Sequence, residues 1–210
     1  MTGEMTMNRV IHAACRRDLD RLASGVGAAR DGDTTRARDL QRAYANLHRE
    51  LKHHHEQEDA HVFPALRRLG IDTALIEDMD GEHHAMADAL DRTAVVMQQY
   101  AATGSAAGAA DALASIESTR VVVERHLSHE EGELEPLMSP HLATPEWKAV
   151  EKALRKGSLS QTGRFFAWLT DGMDPETSSY LRSTIPSPVI TIFSRLLGRG
   201  YHREIAPVWR

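Results

Sequence analysis

The sequence predicts an all-α protein built on an up-down-up-down four-helix bundle, and three observations lead to that expectation. Four segments repeat apolar residues at three- and four-residue intervals, short loops separate them, and each apolar stripe holds one histidine: His12, His54, His83 and His126. In antiparallel order these imidazoles share one end of the bundle. His12 is early in its helix and His54 late in the next; His83 lies in the first half of the third and His126 in the second half of the fourth.

The first helix is expected from about Thr6 to Ser24, with His12, Cys15, Leu19, Leu22 and Val26 on one face and Gly25 and Gly27 ending it. Taken alone, His12 reads as a hydrogen-bonded core residue and Cys15 as a small packing residue. Asp31-Gly-Asp-Thr-Thr is a turn in which Asp33 or Thr34 can cap a second helix running to about Phe63. Pro64 then kinks or ends it, because proline removes a donor and crowds the preceding turn. The stripe of this helix is Leu40, Tyr44, Leu47, Leu51, His54, Glu58, Val62 and Leu66.

Asp72 caps a third helix to about Ala102, with Ile76, Met79, His83, Met86 or Ala87, Leu90, Ala94 and Met97 along one face. That register turns His84 by ~100° towards the flank. The loop 103–108 leads into a fourth helix, about Ala109 to Met138, with Ile116, Val123, His126, Glu130, Leu134 and Leu137 inward. Beyond Pro140, Thr144-Pro145-Glu146 and Asp174-Pro175-Glu176 each place a cap before a proline at the first helical position. The stretch from Ser187 to Arg210 sets Val189, Ile190, Ile192, Phe193, Leu196 and Leu197 beside Arg195, Arg199 and Arg203. Such a basic amphipathic tail is expected to pack on its own bundle or on a partner subunit, with a membrane surface as the alternative. The expected division is a bundle over 1–141 and, over 142–210, short helices that pack on it.

Composition excludes several function classes. A formal charge of -5, from 25 basic and 30 acidic side chains, gives no basic footprint for nucleic acid. The single Cys15 rules out an internal disulfide framework, and no apolar run approaches the ~18 residues of a membrane span. A cytoplasmic protein, monomeric or weakly dimeric, is the expectation. The unusual feature is histidine: of 12 in the chain, seven (48, 53, 54, 55, 61, 83 and 84) fall between Leu47 and Ala85.

The chemistry concentrates in a repeated pattern. His54 precedes Glu58 by four, and Pro64 follows by six; His126, Glu130 and Pro136 repeat that spacing on the fourth helix. Residues four apart share a helix face, so both pairs point into the apolar stripe. A buried carboxylate is costly without a partner, and a metal ion answers that cost. Isolated pairs such as His55/Asp59, His84/Asp88 and His129/Glu133 lack the repeated stripe and proline, and His55, His84 and His129 are expected at the flank or surface. Four imidazoles and two carboxylates without a thiolate favour two nearby hard ions, iron before manganese. A ferritin-like Glu-x-x-His set fails because its matches, Glu50/His53 and Glu58/His61, fall on the second helix alone. The metalloprotease pattern His-Glu-x-x-His is absent.

These residues resemble the hemerythrin-like, His-His-Glu cation-binding proteins over roughly residues 5 to 141. The motifs are His12, His54-x-x-x-Glu58-Asp59-x-x-Val-Phe-Pro64, Glu82-His83 and His126-x-x-x-Glu130-Glu131. The resemblance implies a left-turning bundle holding two iron ions, oxo- or hydroxo-bridged, with both Glu carboxylates spanning them. Two positions depart from the oxygen-carrying members. Ala87 stands where they have a second histidine one turn after the helix-three ligand, and Glu130 follows the last histidine by four where they have an Asp at five. The extension looks like one found in some actinobacterial-type members.

On this resemblance six ligands are expected, His12, His54, Glu58, His83, His126 and Glu130, with no catalytic residue beyond them. Ala87 would leave a vacancy on each metal, one of which Ala87→His would refill, and Tyr201 or His202 on the folded-back tail could reach one. Tyr44, ~15 Å along the helix from His54, could not. The expected ligands are small molecules: O2, H2O2 or NO. The reading leans to catalase-like peroxide decomposition, with reversible O2 or NO binding or sensing as the alternative. An iron-storing or interaction module is the third possibility, though nothing in the chain resembles a carboxylate-lined nucleation channel.

Overall fold

The structure, a computed structural model, describes residues 5–210; the first four residues of the 1–141 segment lie outside the description. The described residues form helices joined by turns, with no strand among them. Helix α1 spans Met7–Gly27, with the Thr6 hydroxyl accepting from Arg9 N–H at its start. Helix α2 begins at Thr34 under an Asp33 cap and runs regularly to Gln57, α3 spans Thr73–Thr103 under Asp72, and α4 begins at Ala106 under Ser105 and runs regularly to His129. Each N-cap side chain accepts from an N–H of the first turn that would otherwise lack a partner.

Neither Pro64 nor Pro136 ends its helix. Across Glu58–Val62 and again across Glu130–Leu134 the backbone widens by one residue per turn, so that Phe63 N–H reaches Glu58 O and Glu135 N–H reaches Glu130 O. In α geometry the proline ring would press on the carbonyl four residues earlier, and the wider turn relieves that contact. The helices then continue through Phe63–Arg68 and Glu135–Met138. Both wide turns start at the glutamates of the repeated motif.

The four helices contact each other in the cyclic order α1, α2, α3, α4. Their long core includes Leu19, Leu22, Leu40, Tyr44, Leu47, Leu90, Ile116 and Val123, all buried. A second, smaller core at the wide-turn end gathers Val62, Phe63, Leu66, Ile76, Met79 and Leu134. The predicted stripes match these cores with one exception on α4: Leu137 is 42 % exposed, because the wide turn rotates it outwards. Gly25 lies inside α1 rather than ending it. The helix pairs are joined tightly at the other end, where Gly104 adopts φ 61° and accepts from Gly32 N–H at 2.8 Å. A Cβ at Gly104 would sit 2.7 Å from the Asp33 carbonyl carbon, so both the conformation and the close approach require glycine.

The extension adds α5 (Pro145–Leu154), α6 (Leu159–Thr170), α7 (Pro175–Thr184), α8 (Ser187–Thr191, prolonged by a wide turn over Ile192–Leu197) and α9 (Arg199–Glu204). Trp147 and Val150 of α5 close the smaller core. Helix α6 has no counterpart in the sequence expectation. It starts with a reciprocal Ser158/Gln161 cap and lays Trp168 and Leu169 against the bundle. The Trp168 indole N–H donates to the buried Asp18 carboxylate at 2.8 Å, and the Arg17 guanidinium donates to the Trp168 and Leu169 carbonyls. The two parts of the basic apolar tail differ: Tyr201, Ile205, Ala206 and Val208 join the long core of the bundle, whereas the part before them does not reach it directly. Its α8 segment packs on α6, and Val189, Ile192 and Leu196 remain exposed.

Candidate metal centre

Between the two cores lies a polar layer with histidine on every wall. Helix α1 contributes His12, α2 contributes His54, His55 and Glu58, α3 contributes His83, and α4 contributes His126 and Glu130. The six residues expected from the sequence all point into this layer, at most 9 % exposed in their side chains.

The imidazoles face one another in two pairs. His12 Nε2 and His54 Nε2 are 3.4 Å apart, and His83 Nε2 and His126 Nε2 are 3.2 Å apart. The carboxylates stand between the pairs: Glu130 Oε2 is 3.2 Å from His12 Nε2 and 3.8 Å from His126 Nε2, while Glu58 reaches His54 at 3.4 Å and His83 at 3.6 Å. Each Glu therefore touches one member of each pair. Two groups of donors result, His12, His54 and Glu130 in one, and His55, Glu58, His83 and His126 in the other.

A layer of carboxylates surrounds the imidazoles. His12 Nδ1 lies 2.8 Å from Glu131 Oε1, His83 Nδ1 lies 2.7 Å from Asp59 Oδ1, and His126 Nδ1 lies 3.1 Å from Glu82 Oε2. Holding Nδ1–H against an acceptor fixes the tautomer and leaves the Nε2 lone pair facing inward. Arg16 steadies Glu131 from outside at 2.7 Å. The motif positions Asp59, Glu82 and Glu131 were visible in the sequence, but their roles depend on which helix faces them.

In the metal-free protein, burial and mutual charge set the protonation states. Burial disfavours an imidazolium at His12, yet Glu130 and Glu131 outweigh it and raise its pKa to about 9. Burial lowers His54 to about 3 and His126 to about 4, and holds His55 well below the usual histidine value. Burial, reinforced by the neighbouring Glu130 charge, pushes Glu58 well above the carboxylate range. Glu130 moves the other way: burial would raise it, but the His12 imidazolium holds it ionised.

The donors fit a metal. Glu58 Oε2 and His55 Nε2 are buried and have no hydrogen-bond partner, and Glu130 Oε2 faces only ring nitrogens of His12 and His126, the arrangement that cations between them would satisfy. Imidazole and carboxylate without thiolate suit iron or manganese.

Six positions singled out in the sequence need correction or placement. His55 was expected at the flank, but it is 6 % exposed because α3 covers it, and its ring stacks on His83 at 4.3 Å. Ala87 is exposed and Met86 is the buried residue next along α3, so a histidine at 87 would face solvent rather than fill a vacancy. Tyr201 is not brought to this layer: it is buried against the extension, and its hydroxyl donates to Asp171 at 2.9 Å. His202 is likewise engaged elsewhere, at the Ser194 carbonyl. His84 is exposed, and His129 lies at the flank beside Glu82. The sequence signal that could have found His55 is the run His53-His54-His55, in which one residue beside the inward one faces the next helix.

Residues 8–138 match the family described as the hemerythrin HHE cation binding domain. No curated protein and no solved structure matches the chain. No helix among the described residues is long and apolar enough to cross a membrane.

Proposed function

Because the chain belongs to the hemerythrin HHE cation-binding family, which its match over residues 8–138 establishes, we propose that it is a non-heme di-iron protein that decomposes hydrogen peroxide. The observation that carries the reading is the pair of facing imidazole couples with a partnerless carboxylate oxygen of Glu58 beside them and Glu130 reaching from His12 to His126. His12, His54, Glu58, His83, His126 and Glu130 would hold the two ions, for which manganese is the less favoured occupant. Two adjacent redox metals held there would supply the two-electron exchange needed for two molecules of peroxide to become one of dioxygen and two of water.

The residues of the chain contribute orientation, proton handling and exclusion of water. Glu131, Asp59 and Glu82 keep Nε2 of His12, His83 and His126 turned inward as donors. These carboxylates also connect the layer to solvent, since Asp59 is 42 % and Glu131 18 % exposed. Asp59 offers a route by which protons released when peroxide enters could pass to solvent, whereas at Glu131 burial is outweighed by hydrogen bonds from His12 and Arg16, which hold it ionised, its pKa lowered to about 2. Phe63 stacks on His83 at 5.1 Å, and the smaller core that contains it keeps bulk water out.

The depth of burial favours a second reading, reversible binding of dioxygen or nitric oxide. His12 and Glu130 are at most 2 % exposed, a setting that shields a bound neutral ligand from water. Oxygen release on adding peroxide to the iron-loaded protein separates the two. The first reading expects dioxygen at half the peroxide consumed. Absence of release together with a visible band that appears and vanishes with oxygen pressure supports the second.

A further inference from the structure

We infer that His55 is a seventh protein ligand, directed at the same ion as Glu58, His83 and His126, so that the two ions have unequal donor sets. This rests on the two-metal reading above and adds a residue that the repeated motif does not contain. His54 and His55 are consecutive on α2 and project ~100° apart around its axis. His54 turns to His12 on α1, and His55 turns to α3 and α4. Its ring lies 22° from parallel to His83 with centroids 4.3 Å apart, and nearly perpendicular to His126 at 5.3 Å.

The nitrogen decides between packing and ligation. A histidine buried only for packing keeps its ring nitrogens hydrogen-bonded, because an unpaired buried polar atom is costly. His55 Nε2 is buried and has no partner. One ligand atom from each of His55, Glu58, His83 and His126 lies within 4.8 Å of the other three, close to twice a metal–nitrogen bond of ~2.1 Å. The donor count follows. One ion draws on three imidazoles and Glu58, the other on His12, His54 and Glu130. The exchangeable coordination position therefore falls chiefly on the His12/His54 side. Small ligands enter there, next to Glu131 and Arg16 rather than next to Phe63.

The test uses metal-free full-length protein titrated anaerobically with Co(II) and followed by its visible bands. The wild type is expected to bind two equivalents. His55→Phe keeps a flat ring against His83 without the nitrogen, and His55→Ala leaves space for added imidazole. Both should weaken one equivalent by at least about 10-fold, the lower end of the effect of losing even a supporting residue. Free imidazole should restore the His55→Ala spectrum and leave His55→Phe unchanged. Two equivalents at wild-type affinity with an unchanged spectrum in both variants would overturn the inference. A wild type that binds a single Co(II), lost in His55→Phe, would keep His55 as a ligand and overturn the two-ion reading instead. A measurement that needs no variant is the count of paramagnetically shifted imidazole N–H resonances in the Co(II) protein. Five supports ligation by His55, and four contradicts it.

Discussion

At the scale of single residues, protons occupy the metal layer when ions do not. His12 is an imidazolium at neutral pH, because Glu130 and Glu131 outweigh the effect of burial, and burial shifts Glu58 towards its protonated form. A metal must displace both protons. Its affinity is therefore expected to rise with pH between about 7 and 9, by up to tenfold per unit for each proton displaced; Co(II) titrations at several pH values check this, and a flat profile contradicts it. The sign for metal-free stability is opposite. The pKa of His12 is raised in the folded state, so its contribution is complete below its ordinary value of 6.5 and is lost as pH rises through about 9. Glu58, also raised, loses its contribution in the same direction. Below about pH 7.5 the lowered His54, His55 and His126 act the other way, so thermal melts of metal-free protein should fall from about pH 7.5 to pH 9, whereas melts of the loaded protein should not. Glu58→Ala and Glu130→Ala are each expected to lose bound iron, and full iron occupancy in both would contradict the assignment.

His55 also shows where sequence reasoning stops at this scale. Periodicity along α2 identified His54 and Glu58, since both continue a stripe of leucines. It could not identify His55, whose burial comes from α3 and not from its own helix.

At the scale of elements, the repeated His-Glu-proline spacing was legible as a disturbance but not as a wide turn. A five-residue stretch is too short for periodicity to separate 3.6 from a wider repeat, and the proline alone is compatible with a kink or an end. Helix α6 went unread although Ser158 and Gln161 form a reciprocal cap and Phe165, Trp168 and Leu169 follow at helical spacing. Its partner on α8 is reached through glycine. A Cβ at Gly163 would lie 2.4 Å from Leu197 Cβ and 2.5 Å from the Leu197 carbonyl carbon, so the two helices meet without side chains between them. Gly163→Val is expected to detach α8 and α9 from α6 while leaving iron content at the wild-type level. Limited proteolysis should then cut within 187–204 faster than in the wild type, and equal rates would show that the contact does not hold the tail.

At the scale of the molecule, we propose that residues 142–210 fold only against the bundle. Their anchors are bundle groups: Asp18 accepts from the Trp168 indole, Arg17 donates to two α6 carbonyls, and Arg36 donates to the Val208 carbonyl at 2.6 Å. Separated from it, the short helices offer little apolar surface against the entropy of ordering them. Expressed alone, the piece should show a disordered circular dichroism spectrum and no cooperative melt. Within the whole chain, Trp168→Phe keeps the ring but strands the buried Asp18 carboxylate without one donor, at a cost of about 1–3 kcal/mol. For a chain of this size that lowers the melting temperature by several degrees. The four-helix order and the shared histidine level were readable from four stripes, whereas the docking of the extension depends on polar contacts between residues 150 positions apart, such as Asp18 and Trp168.

We propose that one chain holds two coupled irons between its helix-borne histidines and the carboxylates of Glu58 and Glu130. Iron analysis combined with Mössbauer spectroscopy of protein loaded with the 57-mass isotope addresses it most directly. Two irons per chain are expected, spin-coupled to a diamagnetic ground state when ferric, and lost in Glu58→Ala and Glu130→Ala. One iron per chain, or two that are magnetically independent, would contradict it.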